Sequence, residues 1–255
     1  MLTFAIVESE PRMRQQISDA ANRKLQVALV VALLAGVFLV RIVPLLQEAR
    51  QTGGGGPWCP FSLKGTMLAL HNYHQDYGSF PPAVVRDESD TPIHSWRALL
   101  LPYMGNSGEY DFSQPWNSPS NLRFAEEHRW QHRFWTTCGC QKNEEDTVVV
   151  AVTGNRTAWP EDQVVSLDDV TDGHDTTIQL VAVSESGIKW LEPRDLSYDE
   201  LPRTSAHGDG LHVAFVDGTA KFLPTSNRSP AMFTIAAGEK VSLNSFRPAS
   251  EFRDY

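Results

Sequence analysis

Hydrophobic positions fall along this chain in three patterns, and each predicts a different kind of element. From Leu25 to Val40 the run LQVALVVALLAGVFLV has no charged residue and continues past Arg41 through Ile-Val-Pro-Leu-Leu to Leu46. As a helix, residues 25–46 would reach about 33 Å at a rise of about 1.5 Å per residue, enough to cross a bilayer core. Arg41 then lies near one end, where its long side chain snorkels to the headgroups. In the second pattern Leu63, Met67, Leu70, His74 and Tyr77 recur at helical spacing, and Gly78, Pro81 and Pro82 supply a stop, which predicts a short amphipathic helix. The third consists of short β-branched runs at 147–154, 177–186, 211–216 and 219–223, which read as strands. Asp217-Gly218 lies between the last two runs and predicts a two-residue hairpin turn, and Asp172-Gly173 marks a further turn.

The section 79–141 is rich in Pro, Asn, Ser and Trp, with helical pieces expected at Trp96–Tyr103 and Asn121–Gln131. Strands follow helices without alternating with them, so the pattern predicts an α+β domain in which the amphipathic helix packs on an antiparallel sheet. Gly53 to Gly56 followed by Pro57 breaks any helix arriving from the apolar run. The expected organisation is a tail at 1–24, a transmembrane helix at 25–46, a Gly-rich linker at 47–57 and a domain at 58–255.

Charge orients this arrangement. Arg12, Arg14, Arg23 and Lys24 precede the span, whereas Arg41 and Arg50 follow it beside Glu48, which favours a cytoplasmic N-terminus and an extracytoplasmic, periplasmic domain. A cleaved secretory signal is the competing reading; the span is longer than a usual signal core, and LLQEARQ offers no clean A-x-A site. A net charge of −9 and a pI near 5.3 argue against nucleic acid as a partner, since phosphate neutralisation needs a concentrated basic face. Asp195, Asp199, Glu200, Glu144, Glu145 and Asp146 stand among polar neighbours and read as a solvated surface.

Several pieces occur together in a recognisable order: PLLQEAR at 44–50, Cys59, LALHNYHQDYGSFPP at 68–82, SWRALLLPY at 95–103, QPWNSPSN at 114–121, VTDG at 170–173, and His207 nine residues before Asp217-Gly218. In this combination the chain resembles a large family of pilin-like proteins of unknown function that is abundant in planctomycete bacteria. The resemblance implies a hydrophobic N-terminal helix, a second helix packed on an antiparallel sheet, and a signature formed by His207, Asp217 and Gly218. It also departs from the pattern. Asn22 and Val27 stand where prepilin peptidase substrates carry a Gly and a Glu, and the linker Gly53–Gly56 interrupts a helix that pilins run unbroken. A permanently anchored relative is the expectation, rather than a processed filament subunit.

His207 and Asp217, with His212 and Asp209 nearby, are the residue types of a metal or acid–base site, but their spacing is no metal-ligand signature and the Asp-Gly pair is accounted for by a turn. His71 and His74 share a helix face, as do His128 and His132; HNYH lacks the glutamate of a zinc-protease helix, so packing is the preferred role and no metal ligand or cofactor is assigned. Cys59 pairing with Cys138 or Cys140 and three free thiols remain equal alternatives. No phosphate loop and no G-x-S-x-G elbow is present. Trp96, Trp116, Trp130, Trp135, Trp159 and Trp190 are expected to be core and lid rather than a ligand surface. The reading is a non-enzymatic, membrane-anchored envelope protein that contacts other envelope or pilin-like proteins. The alternative is an anchored binding module for a small ligand, sugar or metal ion.

Overall fold

In the computed structural model, residues 58–105, 109–128, 143, 145–206, 208–238, 241–242 and 246–248 are described. The chain divides into two units, Met1–Gly53 and Gly54–Tyr255, and the described residues all lie in the second. The predicted span at 25–46 and its linker lie outside them; among the described residues no helix is long and apolar enough to cross a membrane.

Helix α1 (Trp58–Tyr77) follows from its stripe. Leu63, Met67 and Leu70 are all 0% exposed, and Cys59, Thr66 and Ala69 widen the buried face. Thr66 sits in that face because its hydroxyl donates back to Ser62 O at 2.8 Å, which satisfies the polar group within the helix. Tyr77, expected on the same stripe, is 66% exposed. It stands in the last turn, which Gly78 ends by taking φ +74 and donating to His74 O at 2.8 Å, and its ring packs on Tyr73 with centroids 4.4 Å apart.

A hairpin, β1 (Val84–Arg86) and β2 (Pro92–Ser95), comes next. It had no clear signature among the prolines of this region. Helix α2 (Trp96–Leu99) is a single turn that runs into a 3-10 turn at Leu101–Met104, shorter than the continuous helix expected there. Helix α3 (Pro119–Glu127) starts where Ser118 caps it and Pro119 presets its first turn, two residues ahead of the predicted segment at Asn121–Gln131.

The remaining strands are β3 (Val149–Thr153), β4 (Ile178–Ala182), β5 (Leu196–Ser197), β6 (Gly210–Phe215), β7 (Ala220–Pro224) and β8 (Arg247–Pro248). They form one sheet in the order β5-β3-β4-β6-β7-β8. All neighbours are antiparallel except β3 and β5, so the sheet is mixed rather than purely antiparallel. The cause is topological: after β4 the chain crosses to the far side of β3 and runs alongside it. Alternation then sends residues to two different layers. Val149, Ala151, Leu180, Ala182, Ala214 and Val216 pack with α1, while Val150, Val152, Val181, Val213 and Phe215 pack with Met232, Phe233 and Phe246. Both faces are covered, which explains why β3, β4 and β6 are apolar runs rather than alternating ones.

The free edge of β3 is closed by side chains. Beyond the end of the two-residue β5, Val149 O accepts from Arg97 Nε and Nη2 at 3.2 and 3.1 Å, and Ala151 N donates to Asp195 Oδ1 at 2.7 Å. Arg97 and Asp195 meet each other at 2.5 Å, and their side chains are 0% and 1% exposed. Trp96 Nε1 adds a donor to Asp195 Oδ2 at 2.9 Å, and the Trp96 ring lies under the guanidinium and 5.0 Å from Trp159. Asp195, read from sequence as a solvated surface acid, is therefore a core residue. Its polar neighbours in sequence give no sign of Arg97, which lies almost a hundred positions away. Burial pushes the Asp195 carboxyl up and the Arg97 guanidinium down, and each partner opposes the shift in the other.

Removing one member would strand the other charge in the core. Arg97→Met and Asp195→Asn are each expected to lower the unfolding free energy by about 3–5 kcal/mol, read from urea midpoints. The double variant is expected to lose clearly less than the sum of the two. Strict additivity would mean that the residues do not act as a pair.

Candidate functional site

Of the residues singled out from sequence, His71, His74, Asp217 and Gly218 lie where α1 meets two loops of the sheet. Gly218 N donates to Phe215 O at 2.9 Å and Phe215 N donates to Thr219 O at 2.9 Å, so Val216, Asp217 and Gly218 form a three-residue loop between β6 and β7. The expected turn is thus one residue longer than predicted. Gly218 takes φ +85, the left-handed position that ends such a loop and that disfavours any residue with a Cβ. The Asp217 carboxylate accepts from Thr219 N and Oγ1 at 2.8 and 2.7 Å, and Asp217 N donates to His174 O at 2.9 Å.

Helix α1 reaches this loop through His71. Its Nε2 lies 2.8 Å from Val216 O, a carbonyl that only accepts, so Nε2 carries the proton. One turn on, His74 is used in the opposite sense: its Nε2 accepts from Leu167 N at 3.1 Å. The carbonyl of the same Leu167 accepts from His174 Nε2 at 2.9 Å. Three imidazoles therefore clamp two loops by binding backbone groups. Phe80 packs on two of the rings, with centroids 6.0 Å from His71 and 5.1 Å from His74.

The VTDG segment is a second latch. Asp172 accepts from Ala237 N at 2.7 Å, Gly238 N at 2.8 Å and Thr234 Oγ1 at 3.3 Å, while Gly173 O accepts from Thr177 N at 3.0 Å to make the predicted turn. Elsewhere, His212 is buried in β6 with its ring 5.2 Å from Phe222, and Asp209 is exposed. His207, Cys138, Cys140 and His132 lie outside the described residues, as do Trp130 and Trp135. Cys59 is buried in α1, and burial pushes its thiol up to about 12. Trp96, Trp159 and Trp190 are core residues as expected. Half-buried Trp116 lines, with Leu122, Glu126, Lys189 and Trp190, a cleft of about 280 Å³.

His94 was not singled out from sequence. It is buried, with Nε2 donating to Phe112 O at 3.1 Å and Nδ1 accepting from Tyr110 Oη at 2.8 Å, and it secures the loop ahead of α3. A histidine before SWR carries no spacing signal, because its partners come from a loop that folds back on it.

With this geometry in view, comparison with known proteins adds one finding. Residues 59–153 match the family model described as "Protein of unknown function (DUF1559)". The match runs from α1 through β3 and takes in the segments at 68–82, 95–103 and 114–121. No curated protein and no solved structure matches the chain.

His74 yields a pH prediction. Burial first, then neighbouring His71, hold its imidazole below the ordinary value near 6.5, with Asp168 acting the other way. A lowered histidine favours the neutral folded form. Its contribution is complete above the ordinary value and is lost as the pH falls through the lower folded one. Acidification is expected to shift the Leu167 amide signal in NMR spectra as the Nε2 acceptor is protonated. His74→Gln keeps an acceptor without a titrating group and should abolish that shift.

Proposed function

We propose that this chain is a membrane-anchored envelope protein of the pilin and pseudopilin kind, working through contacts with other proteins and without a catalytic centre. The observation that carries the reading is the use made of the polar residues of α1 and its neighbouring loops. His71, His74 and His174 bind backbone groups, and Asp172 and Asp217 are occupied by amides and hydroxyls. These five residues, of types that do chemistry elsewhere, are thereby committed to holding the scaffold. The helix packed against a sheet supports the pilin-like reading, as does the apolar run at 25–46 that precedes it in the sequence. The proposed address is the cell membrane, crossed once, with the N-terminus cytoplasmic and the domain periplasmic. Its partners would be other envelope or pilin-like proteins of planctomycete-type relatives.

Fractionation tests the address and crosslinking tests the role. The full chain is expected to sediment with membranes, resist carbonate extraction and dissolve in detergent, with the domain digested by protease added to spheroplasts. Recovery in the soluble fraction without detergent would end the anchored reading. A membrane-bound chain that stays monomeric and partner-free under in-cell crosslinking would end the scaffold reading.

A further inference from the structure

Away from the histidine clamp, at the C-terminal end of α3, Glu109, Glu127 and His128 each bring one ligand atom to within 4.8 Å of the others. They come from separate pieces of chain that are firmly joined. Asn121 Oδ1 accepts from Asp111 N at 2.9 Å, and its Nδ2 lies 3.0 Å from the carbonyls of Asp111, Gln114 and Pro115. Tyr110 packs on Phe124 with centroids 5.6 Å apart, and its hydroxyl is held by His94. The loop that carries Glu109 is thus tied to the helix that carries Glu127 and His128, which fixes the backbone from which the two exposed carboxylates extend.

The ring of His128 is oriented in the same way. It stacks on Phe124 at 4.3 Å, and its Nδ1 lies 3.0 Å from Phe124 O. A carbonyl only accepts, so Nδ1 carries a proton and Nε2 is the atom turned to the carboxylates. Such a bond from the far ring nitrogen to a carbonyl is how metal-binding histidines are usually fixed. Nε2 and Glu109 Oε2 are 3.4 Å apart, longer than an ordinary N–H···O bond. Bonds of about 2.0–2.1 Å to nitrogen and 2.0–2.2 Å to oxygen around a tetrahedral zinc ion place neighbouring ligand atoms about 3.4 Å from each other.

We propose that Glu109, Glu127 and His128 form a three-ligand site for a divalent first-row transition cation, with further positions open to water. The imidazole ligand favours zinc or its neighbours over magnesium and calcium, which prefer oxygen alone. A doubly protonated His128 is the competing way to hold two carboxylates together, and it needs no metal.

Zinc titration calorimetry on the detergent-solubilised full chain, stripped beforehand with chelator, separates the two. One saturable site is expected, with affinity falling at least about tenfold in Glu109→Gln and in Glu127→Gln. Both glutamates are exposed, so these variants keep the fold even if His128→Gln does not. Cobalt is expected to give visible absorption bands in the parent protein and to lose them in Glu127→Gln. No saturable zinc binding, or equal affinity in the parent and both glutamate variants, would overturn the site.

Discussion

The architecture depends on how the open edge of β3 is closed. A sheet edge inside a protein exposes backbone donors and acceptors that cost several kcal/mol if left unpaired. Strand β5 covers only Val152 and Thr153, so the backbone groups at Val149 and Ala151 need other partners. Arg97 and Asp195 supply them, acting as one further rung of the ladder made of side chains. This also settles why a full ionic pair is tolerated in the core. Each charge has backbone or indole partners besides its counter-ion, the condition under which burial of a pair is sustainable.

The elements that were legible in sequence share one property: their signal is local. Leu63, Met67 and Leu70 recur at the period of a helix, Gly78 stops it, and the runs around Val149, Ile178, Leu211 and Ala220 are β-branched or apolar at strand length. What could not be read depends on distant partners. Asp195 has an ordinary polar neighbourhood along the chain, and only the packing of α2 against β3 makes it a core residue. The parallel placement of β5 is equally invisible, because two residues have no periodicity and the crossover that sets their direction is irregular. The Asp-Gly loop was located correctly but is one residue longer than expected, since its length follows from the register of β6 with β7.

The candidate site shows the same division. The spacing of His71 and His74 puts them on one helix face and favours packing over metal binding; the structure adds their opposite hydrogen-bonding senses, one donating and one accepting. His174 joins them only through the fold. The segment 68–82 and the Asp-Gly loop, far apart in sequence, are thus directly bonded, with the helix reading the position of the turn through a single ring nitrogen.

Arg97 and Asp195 lie 98 positions apart, which bears on the order in which the chain can be built. During synthesis the helix, the first hairpin and the indole of Trp96 all emerge well before the carboxylate that completes them. Until Asp195 appears, the guanidinium lacks this counter-ion and the β3 edge lacks this cover, so the closing of that edge has to follow synthesis of the later part of the domain. Contacts of such range are slow to form and hold the assembly open to wrong pairings. A chain that ends before Asp195 has neither the carboxylate nor β5 to close that edge, leaving the amide of Ala151 and the guanidinium of Arg97 without these partners.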